Sequence, residues 1–381
     1  MNIAYWKKSE NLYNTNCFLN GLLKMPDKFQ WYKFSEVNLS DPFFDSLKED
    51  YEEFSEWFAK KSKENEKAMV FYDDVGIGAF VYLKEENEPI ELITNSLPAR
   101  PRIKIGTLRL AERIRGQRLG EGALGVSLWR WQETRREEIY VTIFEKHKSL
   151  INLFERFGFK KAGMNSRGES IYLKNRTDLD YSDAYKSFPF ISPNFKKAGL
   201  LPIYDHFHDK LFPYSELKGN KLEIEEETAG NGITKVFIAT PVSKPNYSVG
   251  NPVCIYRIFN GNNKKYHSAV TSFCTITQLE IIKDKKKKLM SATDFIKKAG
   301  NKTIFSPQNL LEIYENNSNV VMLEMVYNGY FGKGHNVINN NLTEQGLFEQ
   351  HPYNIVYSQE DFIKILEMGD VDVQNVIINQ S

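Results

Sequence analysis

Cysteine is scarce in this chain: three residues in 381. Cys17, Cys254 and Cys274 are odd in number and widely spaced. They form neither a metal-ligand spacing nor a disulfide framework, which excludes a small cross-linked scaffold and fits a reducing compartment. Net charge is nearly absent as well, with 50 Lys and Arg against 49 Asp and Glu, a formal +1. No global field therefore draws the chain to nucleic acid or to a membrane surface, and any such binding must come from a local patch. No run is long and apolar enough to span a bilayer. The first residues have no apolar signal-peptide core. The expectation is a cytoplasmic protein without a membrane partner. What is present is ordinary for a folded chain: 41% hydrophobic and 26% charged residues, and length enough for two or three domains.

The dense signal lies at 102–174. A strand over 103–111 runs into a polar loop at 112–119, and a helix over 120–135 follows at once. A second strand, 138–144, and a second helix, 147–157, come next, then a hairpin over 160–174. The first junction has a clear physical meaning. A helix start leaves N–H groups without intrahelical partners, and the macrodipole places partial positive charge there. Gly116, Gln117, Leu119 and Gly120 can bring backbone close to an anion, and Arg113, Arg115 and Arg118 add formal charge. These are the makings of a phosphate cradle. An ordinary strand-to-helix turn with solvated arginines is the alternative, because short glycine motifs match by chance.

Arg115-Gly116-Gln117-Arg118-Leu119-Gly120 leads into a helix. Glu145-Lys146-His147 opens a second helix ending Leu153-Phe154-Glu155-Arg156-Phe157-Gly158-Phe159. Together they resemble the GNAT superfamily of acyl-CoA-dependent N-acetyltransferases. That family carries Arg/Gln-x-x-Gly-x-Gly/Ala at its pyrophosphate loop and later Asn-x-x-Ala-x-x-Leu-Tyr-x-x-x-Gly-Phe. Aligned on Arg115, the first glycine is Arg118 and the second Gly120. Aligned on Gln117, the glycines are Gly120 and Gly122. His147 replaces the usual Asn, and Phe154 replaces the Tyr that often protonates the leaving thiolate. The resemblance implies acetyl-CoA as cosubstrate, held by backbone near Leu108 and Leu110, by the loop 115–120 and by the His147 turn. It implies direct acyl transfer to an amine. A base is then required, and Glu112, beside the loop, and Glu91, if on the adjacent strand, are the candidates.

Around this stretch, 29–37 reads as a strand, and Asp41 caps a helix with Pro42 at its first position. Phe43, Phe44, Leu47, Tyr51, Phe54, Trp57 and Phe58 recur at helical spacing, a stripe better suited to core than to a substrate cleft. A hairpin at 68–83 turns at Asp73-Asp74-Val75-Gly76. A short helix is expected near 17–24. The first domain is 1–176, a mixed α/β sheet with helices on both faces, and 177–219 is a connecting segment. Within it, Asp205, His206, His208 and Asp209 invite a metal reading, but no third ligand cluster accompanies them, so no metal is expected.

From 220 to 381 the pattern is mostly strand: 233–241, 253–259, 265–279, 320–327 and 352–356. Asn260-Gly261 signals a hairpin, a basic helical segment is expected over 283–298 with Ser291 or Thr293 as cap, and further helices at 309–316 and 359–366, the latter capped by Ser358. The strand 253–259, the return strand with Tyr266, His267, Ser268, Thr271 and Ser272, and the late strand–helix pair resemble PUA-like β-barrels, including ASCH domains. That resemblance implies an RNA- or base-binding module. Lys283 and Lys285 to Lys288 form a basic run, and Tyr256, Arg257, Lys264, Lys265, Tyr266 and His267 cluster at one hairpin. Three functions follow as expectations. The first is an N-acetyltransferase whose second domain recruits an RNA, nucleotide or protein substrate. The others are a non-catalytic acyl-CoA binder and a toxin-like enzyme acting on charged tRNA.

Overall fold

The computed structural model describes residues 29–215, 228–242 and 246–378. The helix expected at 17–24 lies outside them, as does Cys17. In the first sheet, β1 (Gln30–Lys33), β2 (Lys67–Asp73) and β3 (Gly76–Glu86) form an antiparallel run. The turn between β2 and β3 is fixed by Asp73, whose Oδ1 accepts from the N–H groups of Val75 at 2.9 Å and Gly76 at 3.1 Å. A small separate hairpin follows, β4 (Ile90–Glu91) with β5 (Ser96–Leu97). Then come β6 (Arg102–Leu110), β7 (Glu138–Phe144), β8 (Lys160–Met164) and β9 (Glu169–Asn175). The order is β1-β2-β3-β6-β7-β9-β8. Only β6 and β7 run parallel, and a parallel pair needs a crossover. The helix α3 (Leu119–Thr134) supplies it.

Two helices cover one face of this sheet, α1 (Asp45–Asp50) and α2 (Phe54–Lys63). They start from Asp41, whose side chain accepts from the Phe43 N–H at 2.8 Å. The aromatic stripe is core: Phe43, Phe44, Phe54 and Phe58 are buried, and Phe34 meets Phe58, Phe80 and Tyr82 edge-on. The other face receives α3 and α4 (Lys148–Arg156). Helix α3 is buried almost all round, because a second sheet lies behind it. Trp129 projects from its far side into Tyr214, Tyr327 and Tyr330 and donates to the Asn328 carbonyl at 3.0 Å.

The second sheet follows the path β11-β15-β13-β12-β10-β17, with two short strands, β14 and β16, paired to β13. Its strands are β10 (Ala198–Tyr204), β11 (Thr234–Ala239), β12 (Pro252–Ile258), β13 (Ala269–Asp284), β14 (Lys287–Lys288), β15 (Val320–Tyr330), β16 (Val337–Ile338) and β17 (Val356–Tyr357). The terminal strands β11 and β17 do not pair among the described residues, so the expected closed barrel is corrected to an open mixed sheet. β10, inside the segment read as connection, is a strand of this sheet, paired with β12 and β17. The basic run is also corrected. Residues 283–288 form a β-hairpin, not a helix, and the helix Ala292–Ala299 starts only where Ser291 Oγ accepts from Asp294 N–H at 3.1 Å. Asn260-Gly261 precedes a helical turn, Lys264–His267, before β13 begins, so the antiparallel pairing is as expected but the connection is longer. The late helix is Gln359–Met368, capped by Ser358. No helix of the described residues is long and apolar enough to cross a membrane.

Candidate coenzyme cleft

β6 and β7 pair only over their first four residues, Arg102–Ile105 against Glu138–Val141. The pairing of β6 with β3 slips at the same point. Leu83 faces Ile105 and Tyr82 faces Thr107, leaving Gly106 as the extra residue of a bulge. A bulge bends its strand and ends regular pairing. Beyond it β6 stays with β3 and leaves β7, and 106–110 become partly exposed. Ala111 donates its N–H to Gly78 on the β3 side at 2.8 Å. By strand alternation Leu108 and Leu110 turn their N–H and C=O groups the other way, into the opening. Their side chains pack partly buried on the α3 face.

The opening ends at the start of α3. A short 3-10 turn, Glu112–Ile114, is followed by Gly116 at φ +82° and Arg118 at φ +60°. Helix α3 starts with no side-chain cap on its first N–H groups. A Cβ at Gly120 would lie 3.1 Å from Leu110 Cδ1 and 3.8 Å from Leu153 Cδ2. Gly120 thus lies where β6, α3 and α4 converge. Gly122 does not: a Cβ there would lie 2.3 Å from the Asn231 carbonyl oxygen of the second unit. Of the two alignments of the glycine pattern, the one on Gln117 thus puts its second glycine against the second unit.

The loop arginines are mostly engaged elsewhere. Arg113 makes a two-pronged contact to Asp73, 2.9 Å on each oxygen, and donates to the Ile77 carbonyl at 2.8 Å. It ties the loop to the β2–β3 turn. Arg118 is buried, paired with Glu121 at 3.0 Å and bonded to the Thr234 carbonyl, so its charge faces the second unit. Of the three, Arg115 is the one placed to reach a ligand, with only an exposed partner, Glu112, at 3.0 Å. Of the two carboxylates read as bases, Glu112 is over four-fifths exposed, pairs with Arg115 at 3.0 Å and acts on Arg109 through its charge. Glu91 sits exposed in the β4–β5 hairpin, whereas the strand beside β6 is β3. His147 is exposed at the start of α4 and makes no capping bond. Phe154 is fully buried, edge-on to Phe159 at 4.8 Å.

On the α1–α2 face the opening has a polar pair that sequence reading missed. Glu169, buried, stands opposite Phe144 at the free end of β7. It accepts from the Tyr51 hydroxyl at 3.0 Å and from Asn165 Nδ2 at 2.8 Å. Burial, then the Glu169 charge, raises the Tyr51 pKa, so this phenol stays protonated as a donor. Across the opening Arg109 donates to the Phe43 carbonyl at 2.6 Å and lies over the Phe43 ring at 5.2 Å. Burial lowers its pKa, against the opposing field of Asp50, Glu112, Asp45 and Glu49. No local signal marks Tyr51 or Glu169: they are 118 residues apart, one inside an aromatic stripe and one in a polar hairpin.

In the second unit the His-x-His segment is structural. His208 is fully buried in the helix α6, Asp205–Leu211, where α5 is the turn Ala184–Ser187. Its Nδ1 contacts Asp209 at 2.8 Å and its Nε2 contacts Thr271 Oγ1 at 2.7 Å, while Arg257 grips both Asp209 oxygens at 2.8 Å. Burial lowers the His208 pKa. The contacts from Arg257 and His208 outweigh burial at Asp209 and bring it to about 2. Among the described residues no group of three or more His, Cys, Asp or Glu could hold a metal ion. The expected basic cluster is divided: Tyr256 and Arg257 are buried, while Lys264, Lys265, Tyr266 and His267 are exposed. Lys283 is buried against Tyr314, and Lys285 to Lys288 remain exposed at the β13–β14 tip.

No protein-family model and no curated protein matches the chain. Solved structures do. An ASCH protein from Zymomonas mobilis is 10% identical, with 45% of this chain and 94% of that chain covered and a TM-score of 0.30. An N-acetyltransferase from Staphylococcus aureus Mu50 is 15% identical over 39% of this chain and 96% of that one, TM-score 0.30. A GNAT-family acetyltransferase from Listeria monocytogenes is 12% identical over 39% and 94%, TM-score 0.25. Scores of this size establish neither a shared fold nor a shared activity.

Proposed function

We propose that the chain is an acetyl-CoA-dependent N-acetyltransferase whose second unit recruits the acceptor, an RNA, nucleotide or protein. The observation that carries this reading is the opening between β6 and β7, which begins at the Gly106 bulge and ends at the uncapped start of α3. One strand there has free backbone donors for a thioester, and the adjoining helix start has N–H groups and dipole for a pyrophosphate. The GNAT-like order of loop, strand and second helix in the sequence points the same way.

The N–H groups of Leu108 and Leu110 orient and polarise the thioester carbonyl. A neutral amine enters from the α1–α2 face and attacks the carbonyl carbon, so that the N–C bond forms, the C–S bond breaks and thiolate leaves. Glu169 takes the amine proton through water, and Tyr51 holds that carboxylate in place. Solvent protonates the thiolate, because the Phe154 side chain has no proton to give. Asp45, Glu49 and Asp50 near Arg109 favour a cationic amine at the point of attack. Phe154 favours a second reading, a non-catalytic acyl-CoA binder. The exposed lysines at the β13–β14 tip are the surface through which the second unit would meet an anionic partner.

The test incubates the full chain with acetyl-CoA and a polyamine, a lysine-bearing peptide or an aminoacyl-tRNA. Free thiol is followed colorimetrically, and coenzyme binding is followed by calorimetry. Amine-dependent thiol release is expected. Binding without turnover supports the second reading, and no binding rejects both.

A further inference from the structure

The second unit touches the candidate coenzyme loop at its backbone. Asn301 Nδ2 donates to the Gly116 carbonyl at 2.7 Å, and Asn231 Nδ2 donates to the Gln117 carbonyl at 2.9 Å. Both asparagines belong to the second unit. A trans peptide points its C=O and N–H in opposite directions. Anchoring the Gln117 carbonyl therefore turns the Arg118 N–H away from the second unit, toward the side on which α3 begins. Gly116 and Arg118 both have positive φ. For Arg118, a non-glycine residue, that conformation is strained and persists only when its surroundings enforce it.

The surroundings are built for that task. The Arg118 guanidinium bridges Glu121 and the Thr234 carbonyl, and the Thr234 N–H returns to Glu121. Glu121 is held ionised: burial would raise its pKa, but Arg118 and Thr234 outweigh it. The segment from Asn231 to Thr234 lies directly on α3, since a Cβ at Gly122 would meet the Asn231 carbonyl at 2.3 Å and one at Gly125 would meet Ile233 at 2.6 Å. That segment is stapled from behind by Lys235, fully buried, which donates to the carbonyls of Ala229 at 3.0 Å and Gly230 at 2.9 Å. The loop thus has two supports: the first unit through Arg113, and the second unit through two amide side chains and the Thr234 backbone, which bonds both members of the Arg118–Glu121 pair.

We propose that Asn231 and Asn301 are positioning residues for the coenzyme, so that the second unit is a working part of the coenzyme site and the two units are energetically coupled through it. This rests on the acetyl-CoA reading of the cleft. Coupling is reciprocal: coenzyme binding should tighten the segment 229–235 as well as the loop 115–122.

The test uses the full chain with N231D and N301D together. Asp matches Asn in size but, ionised, has no proton to donate. Hydrogen exchange of amides 115–122 and 229–235 is read with and without acetyl-CoA, and coenzyme affinity is read by calorimetry. In the wild type, acetyl-CoA should slow exchange in both segments. In the double variant, loop exchange should rise and affinity fall by about tenfold or more, the effect of losing two hydrogen bonds of ordinary strength. Protection of 229–235 by coenzyme should disappear, while the thermal midpoint moves by only a few degrees. A merely structural role would not remove that ligand-induced protection. G122A, which pushes the Asn231 segment off α3, should reproduce the loss without adding charge. Wild-type affinity and wild-type protection in these variants would overturn the proposal and leave the acetyl-CoA reading standing. A wild-type chain that binds no acetyl-CoA would overturn both.

Discussion

G120D is the most searching perturbation of the cleft. Gly120 is the second residue of α3, at a helix start without a side-chain cap. A carboxylate in a first helical turn is favourable to folding by about 0.3–1 kcal/mol through the macrodipole. The added Cβ would stand 3.1 Å from Leu110 Cδ1, the far end of a flexible side chain that can give by a few tenths of an ångström. Asp ranks only just above Gly as a helix former, so propensity adds no more than about 0.3 kcal/mol. Stability should therefore change little, and the variant should fold. Binding is another matter. At an effective dielectric of about 20, a carboxylate about 5 Å from one phosphate charge is opposed by about 3 kcal/mol. A pyrophosphate presents two such charges, and one decade of affinity is about 1.4 kcal/mol. Acetyl-CoA affinity should fall at least about 100-fold. G120A, with the same Cβ and no charge, should lose no more than about tenfold, the cost of a tight contact. Calorimetric titration of both variants, beside urea unfolding to confirm equal stability, decides the matter. G120D binding within about threefold of the wild type would refute the placement of the pyrophosphate at this helix.

E169Q should lower the rate of acetyl transfer by about 10²–10³-fold, the scale of general-base catalysis, while coenzyme affinity is unchanged. Initial rates with saturating amine measure it, and an undiminished rate removes Glu169 from the reaction. F154Y restores the residue type of the GNAT pattern but places a hydroxyl in a fully buried ring cluster. It should cost about 1–3 kcal/mol in urea unfolding without raising the rate. His208 supplies a pH signature. Burial depresses its folded-state pKa below the ordinary 6.5, so below about that pH the unfolded chain binds the extra proton. The stability contribution is complete above the unfolded pKa and is lost as pH falls from there through the folded pKa. Asp209, at about 2, stays ionised across this window. Urea midpoints should drop between about pH 7.5 and about pH 5.5, and H208Q should flatten that slope.

Periodicity and turn chemistry are local, and what they specify was readable one segment at a time. Alternating and continuous apolar runs mark β7 and β15 with nearly their observed bounds, and Asp41, Ser291 and Ser358 announce helix starts that the structure contains. Gly116, Gly120 and the order of strand, loop and helix mark the turn into α3, because turn and helix-start chemistry needs only neighbouring residues. Register and partnership are not local. Gly106 is an ordinary glycine until β3 and β7 lie on either side of β6, where its extra residue marks the point at which β6 leaves β7. Arg113 and Arg118 look like loop charges until Asp73, Glu121 and Thr234 are brought beside them. The run from Lys283 loses its helical reading because β13 continues through it and turns back at Lys285 and Lys286, both at positive φ. The carboxylates suggested by the sequence, Glu112 and Glu91, sit exposed at the loop and on the β4–β5 hairpin, while Glu169 and Tyr51 come together across 118 residues of chain. The sequence by itself thus determined the kind of junction α3 makes, a strand, a glycine-bearing turn and a helix start. Which side chains face that junction, and that two helical turns of the second unit reach it through Asn231 and Asn301, only the tertiary structure decided, because both depend on which distant strands pair and on which face of α3 remains to be covered.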